Sequence, residues 1–316
     1  MRENTISAFG EADEFCAALK RAGYQDLLVI GGSAFRARAT RIALRHLSLS
    51  RIEERQSRIA CLSVPDGLIR IVLPPATGTL TCCGVTVPAD GIVTQAATGI
   101  THERLDGPCV WMDIVVPERD LSKWCRVITG NVPSLPPSTH LWRPSAKALE
   151  ALIALHAGAT RIIEAQAGKA YGSEASHGLE QELISGLVEC LECGAPCAAE
   201  PGVDYRVHAM AEFARLLVAD PCHSPSMTQI CAALDVDGRS LRRYCQEHLR
   251  MSPTRFIRLR RMQLVHRALR RATSQTVTVS QVVRDHGFTQ LGRFAASYRT
   301  QYGELPSETL RRGMAP

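Results

Sequence analysis

The residues of this sequence best suited to chemistry lie in one short basic segment. Arg239, Arg242 and Arg243 are close together, with Ser240 among them and Gln246 three positions further on. In a helix, this spacing places the arginines and the glutamine on one side. A guanidinium donates two hydrogen bonds to a guanine edge or contacts phosphate, and a glutamine amide pairs with adenine. The set predicts recognition of nucleic acid, and a solvated charged face is the alternative.

A helix-turn-helix over about residues 228–250 would position these side chains. Thr228 is the predicted N-cap of its first helix, and Asp235-Val236-Asp237 predicts the turn, because short polar side chains compete with helical hydrogen bonds. The second helix has inward-facing residues at helical spacing, namely Leu241, Tyr244, Cys245 and Leu249. In such a motif the second helix enters the major groove of DNA.

The same pattern recurs at about residues 279–301. Gly287 predicts the turn, and a second helix from Gln290 to about Gln301 buries Phe294 and Tyr298. Its groove-side candidates are Gln290, Leu291, Arg293, Ala296 and Ser297, with Arg299 nearer the flank. Alanine and leucine contact thymine methyl groups but read few hydrogen bonds. We therefore expect the first unit to carry most of the sequence discrimination.

One connecting helix is predicted between the two units, over residues 252–271. Ser252 is a suitable cap and Pro253 suits the first helical position. About nineteen residues give a length of roughly 28 Å, whereas successive major-groove faces of straight DNA are roughly 34 Å apart. The sequence thus predicts bent DNA or one loose contact.

From about Tyr205 to Arg312 the sequence resembles the DNA-binding domain of the AraC/XylS family of bacterial transcription regulators. The matching positions are Leu241, Tyr244, Ser252-Pro253, Phe256, Arg260, Ala268-Leu269, Val282, Gly287-Phe288, Phe294, Tyr298, Tyr302-Gly303 and Pro306-Ser307. Cys245 departs from the usual aromatic residue, Leu249-Arg250 stands where a glycine is common, and Asp285-His286 replaces an alanine-containing pair. The resemblance implies an effector-responsive activator that binds double-stranded DNA near a promoter, contacts RNA polymerase and forms a homodimer.

Charge supports a nucleic-acid partner for the C-terminal part. Residues 204–316 contain 18 arginines, no lysine and 9 acidic residues, a net charge of +9, whereas residues 1–203 carry −3 of the total of +6. A positive field confined to one part of a chain is expected where phosphate contacts supply affinity.

The first part, residues 1–143, predicts a β-rich effector or sensor domain. A helix at Glu11–Ala22 precedes short apolar or alternating runs at 35–49, 59–64, 68–73, 80–87, 92–97 and 110–116, which are separated by turn signals. Such spacing favours a sandwich or barrel. The segment diffusely resembles the cupin-like domains of AraC-type regulators, the ethanolamine-regulator type above all. The expected fold is a two-domain α+β chain with an all-α tandem helix-turn-helix domain at residues 204–316.

Residues 144–193 predict two helices, and residues 194–203 a linker. The helices at Ser145–Ala167 and Leu179–Leu191 carry apolar stripes at helical spacing. These stripes pack either on their own domain or, as an alternative, between two subunits of a dimer. Gly194-Ala195-Pro196 and Pro201-Gly202 favour an extended connection.

No catalytic, metal or cofactor site is predicted. The 12 cysteines are expected to be small buried hydrophobes, since Cys190, Cys193 and Cys197 lack partners at zinc spacing, and His46 and His102 stand alone in the sequence. Pro221-Cys222-His223 resembles part of an alkyl-transfer motif, with Ser224 in place of its arginine. A DNA-repair or metal-dependent enzyme fused to a DNA-binding domain is therefore the alternative, and an effector-independent regulator is a third possibility. With no membrane span and no signal-peptide core, a cytoplasmic protein is expected.

Overall fold

The computed structural model describes residues 4–32, 34–96, 99–131, 139–166, 172–192, 206, 209–210, 212–213, 216, 226–272 and 277–314. Within these residues, antiparallel strands form two sheets. The seven-stranded sheet has the order β1 (Thr5–Phe9), β3 (Ala37–Ala43), β4 (Ser48–Glu54), β11 (Cys109–Pro117), β6 (Leu68–Thr77), β9 (Ile92–Ala96) and β12 (His140–Trp142). The five-stranded sheet has the order β2 (Tyr24–Ile30), β5 (Ser57–Leu62), β10 (Thr101–Leu105), β7 (Leu80–Cys82) and β8 (Val85–Thr86).

The helices fall into two groups. Those that accompany the sheets are α1 (Ala12–Ala18), α2 (Glu118–Thr129), α3 (Ala146–Ala165) and α4 (Ser173–Glu192), and together with the sheets they form the sandwich domain. The helical domain contains α5 (Met227–Ala233), α6 (Gly238–Leu249), α7 (Pro253–Arg271), α8 (Val279–Asp285), α9 (Leu291–Tyr302) and α10 (Pro306–Gly313). None of the described helices combines the length and apolar character needed to cross a bilayer.

Alternation along the strands builds a stack of layers. On β6, Ile69, Ile71 and Leu73 face α2, α3 and α4, whereas Val72 faces the second sheet. Successive side chains of a strand point to opposite faces, so one strand serves both cores. Both faces of this sheet are covered, which explains why its central strands β6 and β11 are largely apolar.

The helical domain covers the outer face of the five-stranded sheet. Leu28 of β2 and Ile59 of β5 belong to the same buried cluster as Ile230, Leu241 and other core residues of the first helix-turn-helix unit. The two domains therefore share a hydrophobic core.

Ion pairs lie among the apolar side chains between the two sheets. The Arg58 guanidinium donates to Glu54 at 3.1–3.2 Å and to Glu103 at 3.3 Å. Arg70 donates to Asp113 at 2.6 Å and also contacts Glu103. These five side chains are almost fully buried.

The opposing charges keep this network ionised. Burial raises the pKa of Glu103, but Arg70 and Arg58 outweigh that effect and lower the pKa to about 2. Since each charge has an opposite partner, the desolvation cost is offset only while the whole set is intact.

The two-domain α+β fold is confirmed, and several expectations about its elements need correction. The helix expected at Glu11–Ala22 ends as an α-helix at Ala18 and continues as a 3-10 turn, and the run at 35–49 contains parts of two strands, β3 and β4. Strands β1, β2, β10 and β12 were not predicted. Strand β10 was not recognised in the sequence because four of its five residues are polar, although all five are buried. The linker expected at 194–203 lies outside the described residues, as do Cys193, Cys197 and Cys222.

Candidate nucleic-acid interface

The helical domain consists of two equivalent units. Helices α5 and α8 each have 7 residues, and α6 and α9 each have 12. In the turns, Asp235 and Gly287 both adopt positive φ, at 51° and 79°. Each unit is followed by a helix with proline in its first turn, α7 or α10. This correspondence makes α6 and α9 the two recognition helices.

The first helix of the first unit, α5, has a different N-cap from the expected one. Ser226 caps α5 instead of Thr228, because the Ser226 hydroxyl accepts from the Gln229 amide while the Gln229 side chain accepts from the Ser226 amide. This reciprocal pair satisfies two amide groups that the helix leaves free. The predicted turn at 235–237 is confirmed, with Asp237 as the N-cap of α6.

The basic residues of α6 face solvent. Arg239, Arg242, Arg243 and Gln246 are exposed, and Ser240 is half-buried. The opposite side of the helix carries the core residues Leu241, Tyr244, Cys245 and Leu249, which are buried as expected. A hydrogen bond from the Ser240 amide fixes Asp237 and lowers its pKa. The first turn of α6 is thereby held in shape beside the arginines.

Two contacts within α6 restrict the side chain of Arg243. The Arg243 guanidinium lies 5.4 Å from the centre of the Tyr244 ring and 4.0 Å from Glu247. No comparable contact of Arg239 or Arg242 occurs among the described residues, so these two side chains are free to reach a ligand.

The recognition helix of the second unit is less available. Gln290, Arg293, Ala296 and Arg299 are exposed, whereas Leu291 is half-buried against the core of its unit. The Ser297 hydroxyl, also half-buried, accepts a hydrogen bond of 2.6 Å from Arg258 of the connecting helix. Phe294 and Tyr298 are buried, as predicted.

The end of α6 shows how the chain manages without the expected glycine. Arg250 is the C-cap and adopts the left-handed conformation, with φ 50° and ψ 35°, whereas the equivalent cap of α9 is Gly303. A non-glycine residue in this region carries strain. The helix therefore ends at Leu249 by the same geometry as α9, at a conformational cost.

Both recognition helices are attached to the sandwich domain by their C-terminal ends. On α6, Nδ1 of His248 lies 3.1 Å from Nε2 of His102 on β10. On α9, the Gln301 side chain donates to the Val29 carbonyl of β2 at 2.7 Å. A Cβ added at Gly32 would lie 1.9 Å from the Thr300 carbonyl oxygen, so only glycine permits this approach. His102 thus has a partner that the sequence did not suggest.

Helix α7 adds a buried ionic contact between the domains. Arg260 pairs with Asp26 of β2, and Arg267 donates to Asp26 at 3.0 Å and to Asp13 at 2.6 Å. Gln263 donates to the Leu27 carbonyl at 2.5 Å. No local sequence signal identified Asp26 as the partner of Arg260, because Asp26 lies in the other domain.

Two equivalent helix-turn-helix units joined by one helix, with free arginines on the first recognition helix, define a double helix-turn-helix DNA-binding domain. Residues 230–312 match the family described as "Helix-turn-helix domain". This part of the chain is a DNA-binding domain of the AraC/XylS type.

Several transcription regulators are similar in sequence to part of this chain. Over 87 residues the chain is 37% identical to the XylDLEGF operon transcriptional activator 2 of Pseudomonas putida. The aligned region covers 28% of this chain and 55% of the relative. Over 135 residues it is 33% identical to the probable thc operon regulatory protein of Rhodococcus erythropolis, 40% of each chain. The chain thus spans about half the length of the first relative and less of the second.

Among solved structures, the AraC-like transcriptional activator CuxR matches 82% of this chain and 94% of its own, with a TM-score of 0.46 and 12% identity.

Proposed function

We propose that this protein is a sequence-specific DNA-binding transcription regulator that acts as an effector-responsive activator near a promoter. The observation that carries the proposal is the outward set on α6, where Arg239 and Arg242 are exposed at the start of a recognition helix. Arginines in this position reach guanine edges in the major groove. The Pseudomonas putida relative is named a transcriptional activator, which supports activation rather than repression.

The proposed mechanism gives each domain one role. The helical domain contacts DNA through Arg239, Ser240, Arg242, Arg243 and Gln246, and more weakly through Gln290, Leu291, Arg293, Ala296, Ser297 and Arg299. The sandwich domain sets the position of both recognition helices through His102, Val29 and Asp26. An effector that alters this docking would alter the spacing of the two helices and with it the affinity for DNA.

Assembly and polymerase contact complete the proposal. We place the homodimer contact on the helical layer of the sandwich domain, where Val127 and Ile128 of α2 and Ile162 of α3 are exposed apolar residues. Two such proteins side by side would present four recognition helices to one operator, and RNA polymerase is the expected partner at the promoter. Light scattering of the full chain tests the dimer, and Val127→Asp is expected to shift it to monomer.

Selection from a pool of randomised DNA duplexes tests the function. We expect the full chain to enrich a sequence with two contact regions for each protomer, about one helical turn apart. The triple variant Arg239→Ala, Arg242→Ala, Arg243→Ala should enrich nothing, while a control that removes three exposed arginines elsewhere, Arg119→Ala, Arg161→Ala, Arg311→Ala, should enrich the wild-type sequence. Equal thermal stability of the two variants excludes unfolding as the cause. Failure of the wild-type chain to enrich any sequence would refute the proposal.

A further inference from the structure

A cavity of about 360 Å³ lies between the sandwich domain and the helical domain. On one side, its walls come from the connection between β1 and α1 and from the end of β2. On the other side, they come from α7, α9 and the loop that joins α9 to α10. The space between the two sheets, in contrast, is occupied by the Arg58 and Arg70 ion pairs. A small molecule therefore finds room at the domain boundary, where its binding affects docking directly.

A chain of hydrogen bonds fixes the proton of His266 in the cavity wall. Thr309 donates to Glu304 at 2.6 Å, and Tyr298 donates to Thr309 at 2.8 Å. The Tyr298 oxygen must then accept from Nδ1 of His266, at 2.6 Å. This tautomer leaves Nε2 of His266 as a hydrogen-bond acceptor, and burial lowers the pKa of His266 to about 4, which keeps the ring neutral.

The other polar groups of the wall are mostly acceptors too. Asp13 uses Oδ1 for both of its bonds with Arg267, which leaves Oδ2 available. Glu11 and Glu304 add two carboxylates, and each is paired with an arginine, Arg270 or Arg312. The three carboxylates are thus balanced by Arg267, Arg270 and Arg312. Within the described residues, Oδ2 of Asp13 and Nε2 of His266 remain as hydrogen-bond acceptors for a ligand.

An aromatic and apolar surface completes the site. The Tyr302 ring is stacked on His266 at 4.1 Å between centroids and 8° between planes. Phe35 and Val29 face the same cavity from the sandwich domain. Aromatic faces attract cations as well as apolar groups.

We propose that this cavity binds a small organic cation, a primary amine with an apolar or aromatic group, and that its occupancy changes the docking of the two domains. The ammonium donates to acceptors such as Asp13 and His266, and the apolar group lies against Phe35 and Tyr302. The role of the amine as effector rests on the proposed function, but binding of the amine is measurable without DNA.

Three isosteric probes test the ligand class on the full chain by calorimetry and thermal denaturation. We expect benzylamine to bind and to raise the melting temperature, because a ligand that binds only the folded state stabilises it. Benzyl alcohol should bind about tenfold more weakly, since it lacks the charge-assisted hydrogen bonds. Benzoate should show no binding, because its carboxylate has no hydrogen to donate to Asp13 or His266. Binding of benzoate as tight as that of benzylamine, or no binding of the amine, would overturn the inference.

Two variants locate the site. Gly10→Leu adds a side chain at the cavity wall, where a Cβ meets nothing within 4 Å, so it should fold and weaken benzylamine binding. Tyr302→Ala removes the aromatic face against which the apolar group lies, and it should also weaken benzylamine binding. Gly158→Leu on α3, where a Cβ likewise meets nothing within 4 Å, is the matched control and should bind as the wild type does. Unchanged binding by both Gly10→Leu and Tyr302→Ala would place the amine elsewhere and refute the site.

The two proposals fail separately. A protein that enriches a DNA sequence but binds no amine keeps the proposed function and loses this inference. A protein that binds benzylamine in this cavity without sequence-specific DNA binding loses the proposed function. If both hold, saturating benzylamine should change the affinity for the selected DNA, and by reciprocity the DNA should change the affinity for the amine.

Discussion

Arg242 is the side chain whose removal should change base preference most cleanly. It is exposed on α6, whereas Arg243 is held by Tyr244 and Glu247. We expect Arg242→Ala to relax the preference at one base pair and to cost about 1–3 kcal/mol of binding free energy. Competition binding to the selected sequence and its single-base variants measures both effects.

The control for this prediction is Arg311→Ala, which removes the same charge from an exposed position on α10. It should leave the base preference unchanged. If Arg242→Ala keeps the affinity and the preference of the wild type, Arg242 makes no base contact.

The His102–His248 pair makes the stability of the docked protein depend on pH. Burial and then His248 lower the pKa of His102 to about 3, and burial lowers the pKa of His248. Both histidines titrate near 6.5 when unfolded. The unfolded state therefore binds more protons below about pH 6.5, so this contribution is complete above that pH and is lost as the pH falls toward about 3.

Urea unfolding of the full chain at several pH values measures this effect. His248→Gln should lower the slope of unfolding free energy against pH by up to about 1.4 kcal/mol per pH unit for each histidine that no longer titrates. His177→Gln on α4, which is exposed, should keep the wild-type slope. Parallel profiles for wild type and His248→Gln would contradict the prediction.

At the scale of elements, the C-cap of α6 is a strained position. Arg250 has positive φ where the equivalent residue of α9 is a glycine. Arg250→Gly should raise the free energy of unfolding by about 0.5–1 kcal/mol, because relief of strain exceeds the entropy that glycine adds to the unfolded chain. Gln246→Gly, an exposed site inside the same helix, should lower it by about 1 kcal/mol. Arg250 also lies 3.6 Å from Asp106, and a destabilised Arg250→Gly protein would mean that this contact outweighs the strain.

The ionic contact of α7 with β2 joins the two domains. Asp26 and Arg260 are nearly buried, so Asp26→Asn leaves Arg260 without its opposite charge. We expect a loss of about 3 kcal/mol in the free energy of unfolding, measured by urea denaturation. Asp66→Asn removes an exposed carboxylate and should have little effect. An unchanged midpoint for Asp26→Asn would show that the contact contributes nothing to stability.

Elements with local signals were predictable, and long-range contacts were not. The bounds of α7 and the turns at Asp235 and Gly287 follow from caps, turn residues and helical period, all within a few positions. The Arg267 contacts with Asp26 and Asp13 join residues 241 and 254 positions apart. Strand β10 was hidden because its polar residues find buried partners that only the fold supplies. The candidate DNA contacts could be predicted from the sequence because they follow from the helical period of α6 and α9. The interdomain cavity could not be predicted, because it is formed by residues distant in sequence.

Across the whole molecule, the sandwich domain acts as a common support for both recognition helices. The C-terminal end of α6 contacts β10, that of α9 contacts β2, and α7 crosses between them with its ion pairs. Leu28 and Ile59 complete the core of the first unit. A change in the distance between α6 and α9 would break several buried contacts at once. Without a bound effector, the protein is therefore stiff along the line that joins α6 and α9, because a change in their spacing would cost these contacts.

This stiffness, together with the length of α7, predicts bent DNA. Its 19 residues give a length of about 28 Å, which is shorter than the roughly 34 Å between successive major-groove faces of straight DNA. The helix has no internal glycine and no proline beyond its first residue, so it cannot stretch. Bending a site of this length by tens of degrees costs only about 1–6 kcal/mol, which is the smaller adjustment.

A circular-permutation mobility assay with the full chain and its selected DNA measures the bend. We expect bending toward the protein, with footprints in two adjacent major grooves and flexible pyrimidine–purine steps between them. The Gln290→Ala, Arg293→Ala variant should bind straighter DNA with a footprint in one groove, because the second unit then loses its polar contacts. Straight DNA with footprints in two adjacent grooves would contradict the prediction, since it requires α6 and α9 to move apart against the contacts that attach both to the sandwich domain.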